Sequence, residues 1–140
     1  MATSNMALRL QQNQAEEEDA SQLKLGSEFA NDLCLSISEV RFLLELPRER
    51  GAPDTQVYNK TLEFVRTFTK FPTQESTQAV RALISRGIED LAQFETAQIA
   101  NLTPLTADEA KSVIPTLQRY DDEVLQGILD EMQTLRKFQT

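Results

Sequence analysis

The sequence predicts an all-α protein: an extended N-terminal segment followed by a helical bundle. Apolar residues recur at the three- and four-residue spacing of amphipathic helices through most of the chain after Gly26. Cap residues and helix breakers divide these stretches into lengths that suit short helices. Alternation of apolar and polar residues, which is typical of strands, is confined to the short stretch around Leu23 and Leu25.

The first predicted helix begins at a capping box. Ser36 is followed three residues later by Glu39, a spacing at which each side chain accepts from the backbone N–H of the other residue. The helix then presents a stripe at helical spacing, consisting of Val40, Leu43, Leu44 and Leu46. It ends in a charged loop rich in breakers, residues 47–53.

Two longer helices are predicted next. Asp54 is expected to cap the first of them, and the spacing of Phe64 and Phe68 within it predicts that both rings lie in the core. Thr73 is expected to cap the second. Gly87 lies where a left-handed residue would end that helix, so we expect it to be a C-terminal cap.

The stretch 94–117 specifies a helix, a turn and another helix. Pro104 ends the first helix, because its ring disfavours the α conformation in the preceding residue. Thr106 and Glu109 predict a second capping box, with the Glu109 carboxylate accepting from the Thr106 N–H. The last helix starts at Asp121, and its predicted inner face consists of Val124, Leu125, Ile128, Leu129, Met132 and Leu135.

Composition argues against several kinds of chemistry. The chain has 140 residues, a net charge of −8, no histidine and one cysteine, Cys34. Without histidine there is no histidine base or histidine metal ligand, and a single cysteine cannot build a thiolate zinc site. We therefore expect no cofactor and no metal. The acids at 121–123 and 130–131 suit helix starts and solvated surface better than catalysis, so an enzyme is the weakest interpretation. No apolar run approaches the ~20 residues that span a membrane.

Four basic sets could touch nucleic acid: Arg81 with Arg86, Lys111 with Arg119, Arg136 with Lys137, and Arg48 with Arg50. The favoured interpretation is that Arg86, Arg136 and Lys137 complement helix dipoles and that the others lie on solvated surface. The charge of −8 also opposes a general attraction to phosphate.

The apolar N-terminal region favours a protein partner instead. Leu23, Leu25, Phe29 and Leu33 cannot bury one another in a short extended segment. If the segment joined the sheet of a partner as an added strand, the backbone N–H and C=O groups of the segment would be hydrogen-bonded and alternate side chains would be buried.

Four blocks of the sequence resemble one known family. They are residues 94–117, residues 122–131, the acidic stretch 17–29 and the basic-aromatic end 136–139. Together they are similar to the small stalk subunit of eukaryotic RNA polymerase II, its fourth-largest subunit, and the resemblance covers about residues 16 to 139.

The sequence predicts three regions. Composition predicts a disordered acidic tail at 1–20. An extended segment and helices follow at 21–72 and a helical domain at 73–140, and the resemblance implies that the first of these binds a partner and that the second is HRDC-like. The implied partners are the seventh-largest subunit, with which the chain would form the stalk, and the core of the polymerase. The residues expected to bind a partner are Leu23, Leu25, Phe29, Leu33, Leu43, Leu46 and Phe138.

The implied function is that of a non-catalytic subunit that supports transcription initiation and contacts nascent mRNA through the heterodimer. A nuclear location follows from it, and a cytoplasmic role stays open. Two other interpretations also stay open: the corresponding subunit of RNA polymerase III, and an independent HRDC-like nucleic-acid-binding module.

Overall fold

The computed structural model describes residues 18–46 and 51–138. In this part of the chain there are seven α-helices: α1 (Gly26–Phe29), α2 (Ile37–Glu45), α3 (Gln56–Phe68), α4 (Gln74–Gly87), α5 (Gln93–Leu102), α6 (Ala107–Val113) and α7 (Asp122–Lys137). Two 3-10 helices, Ala20–Gln22 and Pro115–Arg119, accompany them. The described residues contain no strand, so the all-α prediction is confirmed. None of their helices has both the length and the apolar character needed to cross a membrane.

Two predictions fall wholly or largely on residues outside the described ranges. These are most of the acidic tail, residues 1–17, and the basic pair Arg48 and Arg50 in the loop after α2.

The described residues form two units, of which the first ends at Asp32. In that unit Asp19 and Lys24 exchange two backbone hydrogen bonds of 2.8 and 3.0 Å. Leu23 closes the turn between them in the left-handed conformation, with φ of 60°. The segment around Leu23 and Leu25 is thus a turn followed by α1, not the predicted extended strand. The described residues include no second strand with which this segment could form a ladder, so the backbone groups of Asp19 and Lys24 pair with each other.

Helices α4 to α7 enclose the core of the second unit. Leu125, Leu129 and Met132 of α7 are almost completely buried, as the predicted inner face requires. They pack in one cluster with residues of α4, α5 and the second 3-10 helix, including Val80, Ile84, Ile99 and Leu117. The inner face is narrower than predicted, because Val124 lies at its edge and is exposed.

Helices α2 and α4 begin at the predicted cap residues, whereas α3 does not. Ser36 and Glu39 form the expected capping box, and Thr73 caps α4. The cap of α3 is Thr55 rather than Asp54. Thr55 directly precedes the helix, and its hydroxyl accepts from a backbone N–H of the first turn at 3.2 Å.

The predicted box at Thr106 is half formed. The Thr106 hydroxyl accepts from the Glu109 N–H at 3.1 Å. The Glu109 carboxylate reaches one residue further back and accepts from the Leu105 N–H at 2.8 Å. Thr103, which precedes Pro104, takes a left-handed conformation with φ of 44° and ends α5 where the sequence predicts.

Gly87 has a different role from the one predicted. It is the last residue of α4 and does not adopt a positive φ. A Cβ atom added there would lie 1.9 Å from Cδ1 of Ile128. The glycine therefore allows α4 and α7 to approach closely, and it does not act as a left-handed cap.

Candidate protein-interaction surface

Three of the residues expected to bind a partner lie in the first unit. Leu23 and Phe29 are exposed there, whereas Leu25 is half-buried. Leu23 lies in the turn, and Phe29 is the last residue of α1. The unit therefore presents its apolar side chains from a turn and a short helix.

The structure does not gather the other four residues at one place. Leu33 precedes α2, Leu43 lies near the end of α2 and Leu46 follows it directly; each is more than half exposed. Phe138 follows α7, whose main packing partners are α4 and α6. The second unit thus separates these residues into a group at α2 and a single ring beyond α7.

A pair of opposite charges fastens α2 to α4. Arg81 donates from Nε to Oε2 of Glu39 at 2.8 Å and from Nη2 to Oε1 at 2.6 Å. The same Nη2 donates to the carbonyl of Cys34 at 2.6 Å. Burial raises the pKa of Glu39, but hydrogen bonds from Arg81 and Ser36 outweigh burial and hold that pKa below its ordinary value. We call this contact the Glu39–Arg81 clamp.

Neutral hydrogen bonds hold the same end of α2 from two further directions. The Ile37 N–H donates to Oδ1 of Asn101 in α5 at 2.8 Å. The Ser38 hydroxyl lies 2.7 Å from the Thr69 hydroxyl and accepts from the Phe71 N–H at 3.3 Å. Because the start of α2 is fixed in this way, its other end presents the exposed leucines in a defined orientation.

Helix α3 packs beside α2 through one of its faces. Leu62 and Val65 are buried on that face. The Tyr58 hydroxyl donates to a backbone carbonyl of α2. Arg66 of α3 donates to the Glu45 carboxylate of α2 at 2.8 Å. The two helices therefore form a hairpin held by apolar, neutral and charged contacts.

A second apolar stripe of α3 remains exposed, and this corrects the prediction that Phe64 and Phe68 are core residues. The two rings are 52% and 51% exposed and contact each other, with centroids 4.8 Å apart. Val57 shares their face of the helix and is also exposed. Both stripes have helical spacing, so periodicity cannot select the one that meets the bundle. The overlooked signal was the presence of two stripes on a helix that can bury only one.

A second charged contact lies inside the bundle. Glu95, in the first turn of α5, has no exposed surface. Arg119 donates from Nη1 to its Oε1 at 2.6 Å and from Nη2 to its Oε2 at 2.7 Å. The Thr116 hydroxyl and the Ala92 N–H donate to the same carboxylate. We call this contact the Glu95–Arg119 clamp.

The electrostatics of this clamp indicate a structural role. Burial raises the pKa of Glu95, but hydrogen bonds from Arg119, Thr116 and Ala92 lower it by more than burial raises it. The pKa therefore lies below its ordinary value. The hydrogen bonds to Glu95 raise the pKa of Arg119. The guanidinium also lies 4.5 Å from the centroid of the Tyr120 ring. The pair therefore stays charged at neutral pH, where neither side chain is suited to act as an acid or a base.

Three of the basic residues considered for nucleic-acid binding form ion pairs with carboxylates of the same chain. Arg81 and Arg119 belong to the clamps, and Nζ of Lys111 lies 2.6 Å from Asp122. The expectation of solvated surface is wrong for these three, because each lies against an acid from another part of the chain. The members of the sets that make no ion pair within the described residues lie in the last turns of helices: Arg86, Arg136 and Lys137.

Two of the acidic residues at 121–123 and 130–131 have side-chain partners. Asp122 pairs with Lys111, and Asp130 accepts from Nε2 of Gln126 at 2.8 Å. In the part of the chain that the structure describes, no three histidine, cysteine or acidic side chains lie close enough to hold a metal ion.

These features define a class of protein: a helical bundle with satisfied internal charges that presents apolar side chains from a docked helical hairpin. Comparison with known proteins gives the family. The family model for RNA polymerase Rpb4 matches residues 6–136. The chain belongs to the RNA polymerase Rpb4 family.

Three relatives match over nearly their whole length. The DNA-directed RNA polymerase II subunit rpb4 of Schizosaccharomyces pombe is 42% identical over 131 residues, covering 88% of this chain and 95% of the relative. The subunit of the same name from Dictyostelium discoideum is 35% identical over 144 residues, covering 88% and 92%. The DNA-directed RNA polymerase II subunit 4 of Arabidopsis thaliana is 30% identical over 136 residues, covering 89% and 97%.

Proposed function

We propose that the chain is a non-catalytic subunit of nuclear RNA polymerase II that pairs with the seventh-largest subunit to form the stalk. Membership of the Rpb4 family supports the assignment to the polymerase. The names of the three relatives favour polymerase II over the corresponding subunit of polymerase III. A nuclear location follows from this assignment.

The exposed apolar surface of the α2–α3 hairpin carries the proposal of a protein partner. Leu43 and Leu46 at the end of α2, and Val57, Phe64 and Phe68 on α3, leave large apolar side chains in water. Exposed apolar groups concentrated on one hairpin are typical of a protein interface. The Glu39–Arg81 clamp already orients α2, so binding need not order it, which lowers the entropic cost of association.

The first unit is proposed to make a separate contact with the partner. One bridge between Asp19 and Lys24 closes its turn, and Leu23 and Phe29 are exposed. Opening this turn would release a strand that can pair with a sheet edge of the partner, where the backbone of Leu23 and Leu25 gains hydrogen bonds.

Transcription initiation and contact with nascent mRNA are proposed as functions of the heterodimer. The isolated chain has a charge of −8, and the clamps occupy Arg81 and Arg119, which disfavours an independent nucleic-acid-binding module. The HRDC-like nature of residues 73–140 stays a prediction.

The test is a pair of matched double variants. Leu43→Ser with Leu46→Ser removes two exposed leucines of the proposed interface, and Leu102→Ser with Leu105→Ser removes two exposed leucines elsewhere. We expect the first pair to weaken binding of the seventh-subunit homologue more than about tenfold, since each lost apolar contact costs about 1 kcal/mol or more. Binding is measured by isothermal titration calorimetry.

Urea denaturation of each uncomplexed variant is the control for folding, and both pairs should stay within about 0.5 kcal/mol of the unchanged chain. Equal affinities of the two double variants would contradict the assignment of the α2 surface. Absence of any binding by the unchanged chain would contradict the proposed partner itself.

A further inference from the structure

An open groove lies between α4 and α7 in the second unit. Its volume is about 390 Å³, and the residues that matter for its chemistry are Ala79, Leu83 and Arg86 from α4 and Glu131, Leu135 and Phe138 from the α7 side. The Phe138 ring is 85% exposed. The groove thus combines an apolar floor with a projecting aromatic ring and one charge of each sign.

The two charges of the groove are not paired with each other. Arg86 donates from Nε to the Ala82 carbonyl of its own helix at 3.2 Å. Within residues 18–46 and 51–138, the ion pairs involve neither Arg86 nor Glu131. Both charges therefore remain available to another chain.

The two walls of the groove match in length. Helices α4 and α7 run antiparallel, since Gly87 meets Ile128 near one end and Ala79 and Phe138 line the other. Arg86 is seven residues from Ala79, and Glu131 is seven residues from Phe138. At about 1.5 Å per residue, each wall spans about 10 Å.

We propose that this groove binds a second copy of the chain. A two-fold axis parallel to the groove places α4 of one copy over α7 of the other. Arg86 then faces Glu131 of the second copy, and Leu83 faces Leu135. The Phe138 ring enters the space left by the short side chain of Ala79. Each contact occurs twice, as in the isologous interface of a symmetric dimer.

On α4, the groove residues lie away from the side of the helix that contacts α2. Arg81, which holds α2, lies two residues from Leu83 and five from Arg86. At 3.6 residues per turn these separations are roughly 200° and 140° around α4. The dimer therefore leaves the exposed leucines of α2 available.

The experiment is sedimentation velocity on the purified full chain over a range of concentrations. The variants are Arg86→Glu, Glu131→Arg, both together, and Phe138→Ala. Lys60→Glu, an exposed residue of α3, is the control because it changes the net charge as Arg86→Glu does. We expect a reversible dimer that each single reversal weakens more than about tenfold, because like charges then meet twice.

The combined reversal restores opposite charges across the axis, so it should return the dimer to near its original strength. Phe138→Ala should weaken the dimer, and Lys60→Glu should leave it unchanged. A chain that stays monomeric at every concentration would overturn the proposal. So would a combined variant as weak as the single ones, or a Lys60→Glu effect as large as that of Arg86→Glu.

Discussion

The two arginine–glutamate clamps share a bidentate geometry but lie at different depths. The Glu95 side chain has no exposure and that of Arg119 has 31%, whereas Arg81 and Glu39 keep 23% and 21% of theirs. The deep clamp joins α5 to the second 3-10 helix inside the bundle. The shallow clamp attaches α2, the helix that presents the proposed interface, to the bundle.

This difference in depth indicates different energetic roles. A carboxylate with no access to water depends on its partner, because breaking a buried pair leaves an uncompensated charge in a medium of low polarity. Breaking a partly exposed pair lowers the free energy of unfolding less, since water replaces the lost partner. We therefore expect the deep clamp to govern the stability of the bundle and the shallow clamp to govern the placement of α2.

The largest predicted effect follows from removal of the deep arginine. Arg119→Ala should lower the free energy of unfolding by about 3–5 kcal/mol, the cost of leaving a buried charge unpaired. Arg136→Ala is the matched control, because Arg136 makes one hydrogen bond, to the Thr103 hydroxyl, and no ion pair among the described residues. Urea denaturation of both variants measures the difference. Similar losses for the two arginines would refute the special role of the deep clamp.

A smaller decrease in the free energy of unfolding should appear on acidification. The folded pKa of Glu95 lies below its ordinary value of 4.5, so the carboxylate stabilises the fold fully above that value. As the pH falls from there through the folded pKa, this contribution is lost at up to about 1.4 kcal/mol per pH unit. Glu95→Gln should therefore flatten the acid limb of the stability profile. Urea midpoints measured from neutral to acidic pH test this, and parallel profiles for the two chains would exclude it.

The sequence predicted those parts of the fold that depend on neighbouring residues. The Ser36 box, the Thr73 cap and the end of α5 before Pro104 each rest on residues within one turn of each other. The buried residues of α7 were predictable for a related reason, since that helix presents one dominant apolar face.

Contacts between residues far apart in the sequence were not predictable in the same way. The clamps join residues 42 and 24 positions apart, and no local pattern selects which acid an arginine will meet. The same limit explains Phe64 and Phe68, because packing against α2 decides which stripe of α3 is covered. The site at Leu43 and Leu46 was predicted from the apolar pattern and the resemblance and stays a prediction, whereas the exposure of the apolar stripe of α3 required the structure.

The smallest predicted effect on stability, and the sharpest test of the comparison, concerns the shallow clamp. Arg81→Ala should cost only about 1 kcal/mol, because water can reach Glu39. The loss should be local, with faster amide hydrogen exchange in α2 and unchanged exchange in α7.

Arg41→Ala is the control, because it breaks the pair with Glu45 and leaves Arg66 on the same carboxylate. It should leave amide exchange in α2 nearly unchanged. Because a loosened α2 must be ordered again on binding, Arg81→Ala should also weaken binding of the stalk partner, although Arg81 is not one of the proposed interface residues. Faster exchange in α7 than in α2 would show instead that the shallow clamp supports the whole bundle.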